Sequence, residues 1–342
     1  MIYLKESKAC FLLVLVLFVL GCMKNNLPVI EPSFIREKTP HDTDDPAIWI
    51  NKENPSESIV FGTDKNELNG GVYAFDLDGK IIEGKSITGL SYPNNVDVSY
   101  GFKLNDSTTT DVIVFTEREK HQIRLYSIPD MKPLDNGGFP VFVNASEIDK
   151  KRPMGVACYA DGDSTYAIVS RKSGPTSNYL HQYQFVSDST GIRSELVREF
   201  GDFSGKKEIE AIAVDNELGF VYYSDEMNCI HKYYADPSKG NKELTCFGAN
   251  IFERDIEGIA IVKNEDKGFL VVSNQQAHSF SVFDRNTNDF VKEINLGTVE
   301  TDGCDVTTVS LGNKFSNGLF VAMNDSKEFY FYDLKNLNLS ID

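Results

Sequence analysis

Short apolar stretches alternate with polar turns along the whole chain, and six of them close on an aromatic: Phe75, Tyr126, Phe185, Tyr233, Phe283 and Tyr332. The steps between them are 51, 59, 48, 50 and 49 residues. A recurrence near fifty residues, with strand signals and turn residues inside each unit, predicts four-stranded sheets repeated around an axis. The pattern therefore reads as an all-β protein, a six-bladed β-propeller, with blades beginning near residues 44, 94, 153, 208, 255 and 303. The last unit has little chain left after Tyr332, so Pro28 to Arg36 is a candidate for the strand that closes the ring.

The polar residues interrupting the repeat fall in two series. The first opens each inner strand: Asp44-Asp45-Pro46, Asn94-Asn95-Val96-Asp97, Arg152-Pro153-Met154-Gly155, Glu208-Ile209-Glu210, Asp255-Ile256-Glu257-Gly258 and Asp302-Gly303-Cys304-Asp305. The second closes the next strand: Thr63-Asp64-Lys65, Thr116-Glu117-Arg118, Ser170-Arg171-Lys172, Ser224-Asp225-Glu226, Ser273-Asn274-Gln275 and Met323-Asn324-Asp325. Antiparallel neighbours run in opposite directions, so the start of one strand and the end of the next share one face of the ring. That face gathers many carboxylates, together with a basic bank of Lys65, Arg118, Arg171 and Lys172. Carboxylates focused near one axis repel unless cations lie among them. Oxygen donors without His or Cys point to Ca²⁺ rather than zinc, and the bank beside them suits a polyanion, phosphate esters above all.

Charge supports this and narrows the partners. The chain carries 34 Lys and Arg against 51 Asp and Glu, a formal −17. Nothing resembles a basic stripe, so nucleic acid is not an expected partner. At the N-terminus, Lys5 and Lys8 precede an apolar run from Phe11 to Leu20, too short to span a bilayer. Val19-Leu20-Gly21-Cys22 resembles the bacterial lipobox, which implies a signal peptide over residues 1–21 and lipidation of Cys22. The expected product is an exported lipoprotein, periplasmic or at the outer membrane or cell surface, touching the membrane only through that anchor. Residues 22–40 would form the tether and possible closing strand, and 41–342 the propeller. Loss of Lys5, Glu6 and Lys8, a net +1, leaves the mature chain at −18. Of the remaining cysteines, Cys158 reads as buried, while Cys229 and Cys246 are candidates to pair; the five histidines share no motif.

DDPAIW from Asp44, NNVD from Asn94, Glu210 with its small neighbour, DIEG from Asp255, ETDG from Glu300 and GLFVA from Gly318 resemble, in order, the signature segments of the β-propeller phytases. The resemblance runs from about Asp42 to Asp325 and implies a calcium-dependent phosphomonoesterase acting on phytate, myo-inositol hexakisphosphate. It implies side-chain calcium ligands at Asp45, Glu210, Asp255, Glu257 and Asp305, and backbone oxygens near Pro46 and Val96. Glu226 joins them near the attacking water, Gln275 lies beside the metals, and Asn324 and Asp325 lie near a more structural ion. Asp44 and Asp302 complete the expected metal group. Lys65, Arg118 and Lys172, with Arg171 from the same bank, are expected to hold substrate phosphates, and Glu226, Glu210, Asp305 and Lys172 to act in catalysis.

Two departures stand out. Met154 occupies a position where the family commonly has Tyr, and the acidic stretch after Glu300 is short; both imply fewer or weaker metal sites. A calcium-dependent lactonase or sugar-processing propeller shares the fold and metal without needing the basic bank. A non-catalytic surface lipoprotein would bind without turnover. The chain is expected to be a monomer.

Overall fold

The computed structural model describes residues 27–35 and 37–339; the expected signal peptide and Cys22 lie outside them. The described strands form six four-stranded antiparallel sheets. The first blade comprises β2 (Thr43–Trp49), β3 (Ile59–Asp64), β4 (Gly70–Phe75) and β5 (Ile87–Leu90). The second comprises β6 (Pro93–Asn105), β7 (Thr108–Glu117), β8 (Gln122–Ile128) and β9 (Phe139–Pro140). The third runs β10 (Pro153–Asp161), β11 (Ser164–Arg171), β12 (Ser177–Asp188) and β13 (Gly191–Asp202). The fourth runs β14 (Ile212–Asp215), β15 (Phe220–Asp225), β16 (Cys229–Tyr234) and β17 (Thr245–Phe247). β18 (Ile256–Asn264), β19 (Lys267–Asn274), β20 (Ser279–Asp284) and β21 (Phe290–Ile294) make the fifth. The sixth combines β22 (Cys304–Thr307), β23 (Leu319–Asn324) and β24 (Glu328–Asp333) with β1 (Phe34–Ile35) from the other end of the chain.

The recurring aromatics sit on the third strand of each blade. Phe75, Phe185, Tyr233, Phe283 and Tyr332 are buried and Tyr126 partly so, each in a core shared between strands or between neighbouring blades. Burying a side chain of this size contributes about 2–3 kcal/mol, which gives every blade a comparable anchor. Polar links join the blades nearer the axis. Asp305 accepts from Ile48 N at 2.7 Å, Asp45 from Val96 N at 3.1 Å and Asp97 from Cys158 N at 2.7 Å. Each link carries a carboxylate of one inner strand to the backbone of the next, satisfying an edge N–H that closure of the ring would otherwise bury.

Four inner strands begin with an irregularity that builds the rim. Register shifts fall between Thr43 and Pro46, Pro93 and Val96, Pro153 and Val156, and Ile256 and Ile259. The residues inside these steps are Asp44-Asp45, Asn94-Asn95, Met154-Gly155 and Glu257-Gly258. A bulge re-aims side chains that regular pleating would send alternately to the two sheet faces. Hydroxyls at the ends of the second strands brace it: Thr116 Oγ1 donates to Met154 O at 2.8 Å, Ser170 Oγ to Ile209 O at 2.6 Å and Ser273 Oγ to Thr301 O at 2.7 Å. Gly155 is required here, because a Cβ on it would collide with the Glu210 carbonyl oxygen.

Cys229 and Cys246 form a disulfide between β16 and β17, and Cys158 and Cys304 are buried thiols. Among the described residues no helix is long and apolar enough to cross a membrane.

Candidate functional site

Two lysine-centred carboxylate groups occupy the rim. In the first, Lys65 Nζ lies 2.6 Å from Asp302 Oδ2, 3.5 Å from Asp44 Oδ1 and 4.0 Å from Asp42 Oδ2. Asn94 Nδ2 extends this group inward, donating to Asp44 Oδ2 at 2.9 Å and Glu210 Oε1 at 3.2 Å. In the second, Lys207 Nζ lies 2.5 Å from Glu226 Oε2, 2.8 Å from Asp255 Oδ2 and 3.8 Å from Glu257 Oε1. Amides bridge the two: Gln275 Nε2 donates to Asp302 Oδ1 at 2.6 Å, and Gln276 Nε2 reaches Gln275 Oε1 and Asp255 Oδ2, both at 2.7 Å.

Negative charge in this rim exceeds what its lysines neutralise. Burial, with Asp44 as the next cause, drives the Glu210 carboxyl well above the ordinary range. Burial followed by Glu226 does the same to Glu257. Glu226 is pushed up to about 7 by burial against the pull of Lys207, and Asp302 to about 6 by burial against Lys65. Several buried oxygens also receive no hydrogen bond: Glu226 Oε1, Asp255 Oδ1, Glu257 Oε2 and Asp44 Oδ1. Glu226, Asp255 and Glu257 can each bring one oxygen within 4.8 Å of the others, and so can Glu208, Glu210 and Glu226. An all-carboxylate set with spare buried lone pairs fits a hard cation, with amide and carbonyl oxygens to complete a high coordination number.

The basic bank lies against this acid. Lys172 Nζ contacts Glu208 Oε2 at 2.6 Å. The Arg118 guanidinium lies over the Tyr92 ring, 3.8 Å from its centroid, with Nη1 3.7 Å from Met154 Sδ. Met154 thus lends Arg118 a soft flank rather than an oxygen ligand, and ring and thioether hold the guanidinium flat.

Four of the expected residues, Arg171, Asp305, Asn324 and Asp325, lie outside the two lysine-centred groups. Arg171 does not join the basic bank: its guanidinium is turned inside, giving Nε to Tyr179 O at 3.1 Å and Nη2 to Asn178 O at 2.7 Å, with Phe142 4.6 Å away. Alternation is the reason, since Arg171 ends β11 pointing inward and Lys172 follows it outward. Asp305 lies in the wall of the axial channel, a space of about 720 Å³ also lined by Asp45, Pro46, Val96 and Asp97. Both its oxygens accept backbone N–H groups, from Ile48 and Val306, so it enters neither lysine-centred group. Asn324 and Asp325 both engage Val299: Asn324 Oδ1 accepts from Val299 N at 2.8 Å and Asp325 N donates to Val299 O at 3.1 Å, while Asp325, exposed, adds to burial in raising the pKa of Asp42.

Lys207 was missed by sequence reasoning. Its signal is the Lys206-Lys207 pair directly ahead of Glu208 and Glu210, but it precedes an inner strand, whereas the recognised basic residues follow a second strand. Gln276, which follows the expected Gln275, gave no chemical signal of its own, and Asn94 was read only as part of the polar segment opening its inner strand.

The fold and site together define a β-propeller enzyme whose rim pairs buried oxygen donors with a basic bank. The family model for phytase matches residues 35–336, and the chain belongs to the phytase family. It is 31% identical over 301 residues to the 3-phytase of Bacillus subtilis (strain 168), a match covering 82% of this chain and 74% of that protein. Among solved structures, the β-propeller domain of Cps50 (Swd1) from Myceliophteria thermophila aligns with a TM-score of 0.50 at 11% identity, over 85% of this chain and 83% of that one. A functionally unknown protein from Desulfotomaculum acetoxidans aligns with a TM-score of 0.51 at 16% identity, over 78% and 75% of the two chains. These two show the fold alone.

Proposed function

We propose that this enzyme removes phosphate from phytate by calcium-dependent hydrolysis, water attacking phosphorus without a covalent enzyme intermediate. The observation that carries the reading is the juxtaposition of donorless buried carboxylate oxygens with Lys65, Arg118 and Lys172 on one rim. Asp44, Asp302, Glu208, Glu210, Glu226, Asp255 and Glu257 are the side chains that would hold calcium there. When bound, calcium supplies positive charge to the phosphoryl oxygens and acidifies the attacking water.

The chain's own residues do the remaining work. Lys65 and Lys172, which reach the rim beside those carboxylates, would present ammonium groups to peripheral phosphates. Arg118, held flat on Tyr92, presents a fork suited to two phosphate oxygens. Glu226, buried among carboxylates, is placed to take a proton from water. From the N-terminal segment we further propose export and lipid attachment at Cys22, which the intact mass of the membrane-extracted protein tests.

The test is phosphate release from phytate by residues 27–342, with calcium and with chelator. Release under calcium and none with chelator is expected, and Glu226→Gln is expected to lower kcat about a hundredfold. No release under calcium would sink the phytate reading; release indifferent to chelator would sink the calcium mechanism.

A further inference from the structure

We propose that Lys207 is a built-in competitor for calcium: its ammonium holds the Glu226–Asp255–Glu257 oxygens in the metal-free protein and must withdraw before the ion can occupy them. The inference rests on the calcium reading above and concerns what this chain adds to it. Lys207 Nζ lies 2.5, 2.8 and 3.8 Å from one oxygen of each carboxylate. A divalent cation taking those same three oxygens needs metal–oxygen distances of about 2.3–2.6 Å, so ammonium and ion exclude each other there.

Three further features support exchange rather than a permanent ion pair. The carboxylates are underused, since Glu226 Oε1, Asp255 Oδ1 and Glu257 Oε2 take no donor and one ammonium serves three carboxyl groups. The side chain of Lys207 is 34% exposed while that of Glu226 is 0% exposed, so the lysine enters from the solvent side and can leave the same way. Its backbone is also pinned on both sides. Ser204 N and Oγ each donate to Asp225 at 2.8 Å, and Glu226 N donates to Glu208 O at 3.1 Å. Withdrawal therefore needs only side-chain torsions.

Internal occupancy lowers apparent affinity by the fraction of molecules in which the site is free. Lys207→Met, which keeps the stem and removes the charge, is therefore expected to bind calcium roughly tenfold more tightly in calorimetric titration. The same variant should melt at a lower temperature without calcium and gain more from calcium than the wild type. Damage to a merely structural residue would move affinity the other way. Lys242→Met, which removes an exposed charge elsewhere, should leave affinity unchanged.

Acetic anhydride labelling of the unmutated protein, mapped by mass spectrometry, gives a readout independent of any variant: calcium should increase modification of Lys207. Wild type that binds calcium with Lys207 still protected, or a folded Lys207→Met with unchanged or weaker affinity, overturns the inference and leaves the calcium reading intact. A wild type that binds no calcium overturns both.

Discussion

Lys65 and Lys207 each centre one of the two rim groups, and only Lys65 also touches the segment that links Asp44 to Glu210 through Asn94. Under the proposed function, its loss removes one phosphate contact and one internal counter-charge together. Lys65→Met is expected to lower kcat/KM for phytate about a hundredfold in saturating calcium, seen by initial-rate kinetics. A different titration governs acid stability away from the rim. His181 is buried against Phe142 and Tyr183, and burial, aided by Arg171, lowers its pKa to about 3. A depressed histidine stays neutral in the fold while the unfolded chain takes up its proton, so its contribution is intact above about pH 6.5 and is lost as pH falls toward 3. His181→Gln should therefore narrow the stability lost between pH 7 and pH 4.5 by about 2 kcal/mol, measured by urea unfolding at both pH values.

At the scale of the element, the polar joints between blades matter as much as the aromatic cores. Arg285, fully buried after β20, gives Nε and Nη2 to the two oxygens of Asp215 on β14, both at 2.6 Å, and Nη2 also reaches Glu217 at 2.8 Å. Arg285→Met would strand Asp215 as an unpaired buried charge and is expected to cost about 3–5 kcal/mol, visible as a lower denaturant midpoint. The strands themselves were readable from apolar runs and turn residues, because each blade buries its own alternating face. Their opening bulges were not, since a two-residue step leaves no mark on composition. Those bulges decide that Asp44, Asn94 and Glu257 face the rim, and strand alternation decides that Lys172 does so while Arg171 does not.

For the whole molecule, closure of the ring joins residues separated by most of the chain. Phe34 and Ile35 pair with Phe331 and Tyr330, Ser33 N donates to Phe331 O at 2.8 Å, Thr39 N to Lys327 O at 3.0 Å, and Phe34 packs on Phe315. Deleting residues 27–40 is expected to lower the thermal midpoint by about 5 °C or more in differential scanning calorimetry, because the sixth blade then ends on an unpaired strand. The sequence by itself determined the number of blades, the positions of their strands and which polar segments lie at one end of the axis. Those properties follow from local alternation and a regular period. It also carried the family signature that the phytase match bears out. Only the tertiary structure decided how the rim charges are partnered. It divided them into two lysine-centred groups, withdrew Asp305 into the channel wall and Arg171 into the interior, and brought Lys207 among Glu226, Asp255 and Glu257. Such groupings join residues from different blades, and their distances depend on how closed sheets pack around an axis rather than on any spacing along the chain.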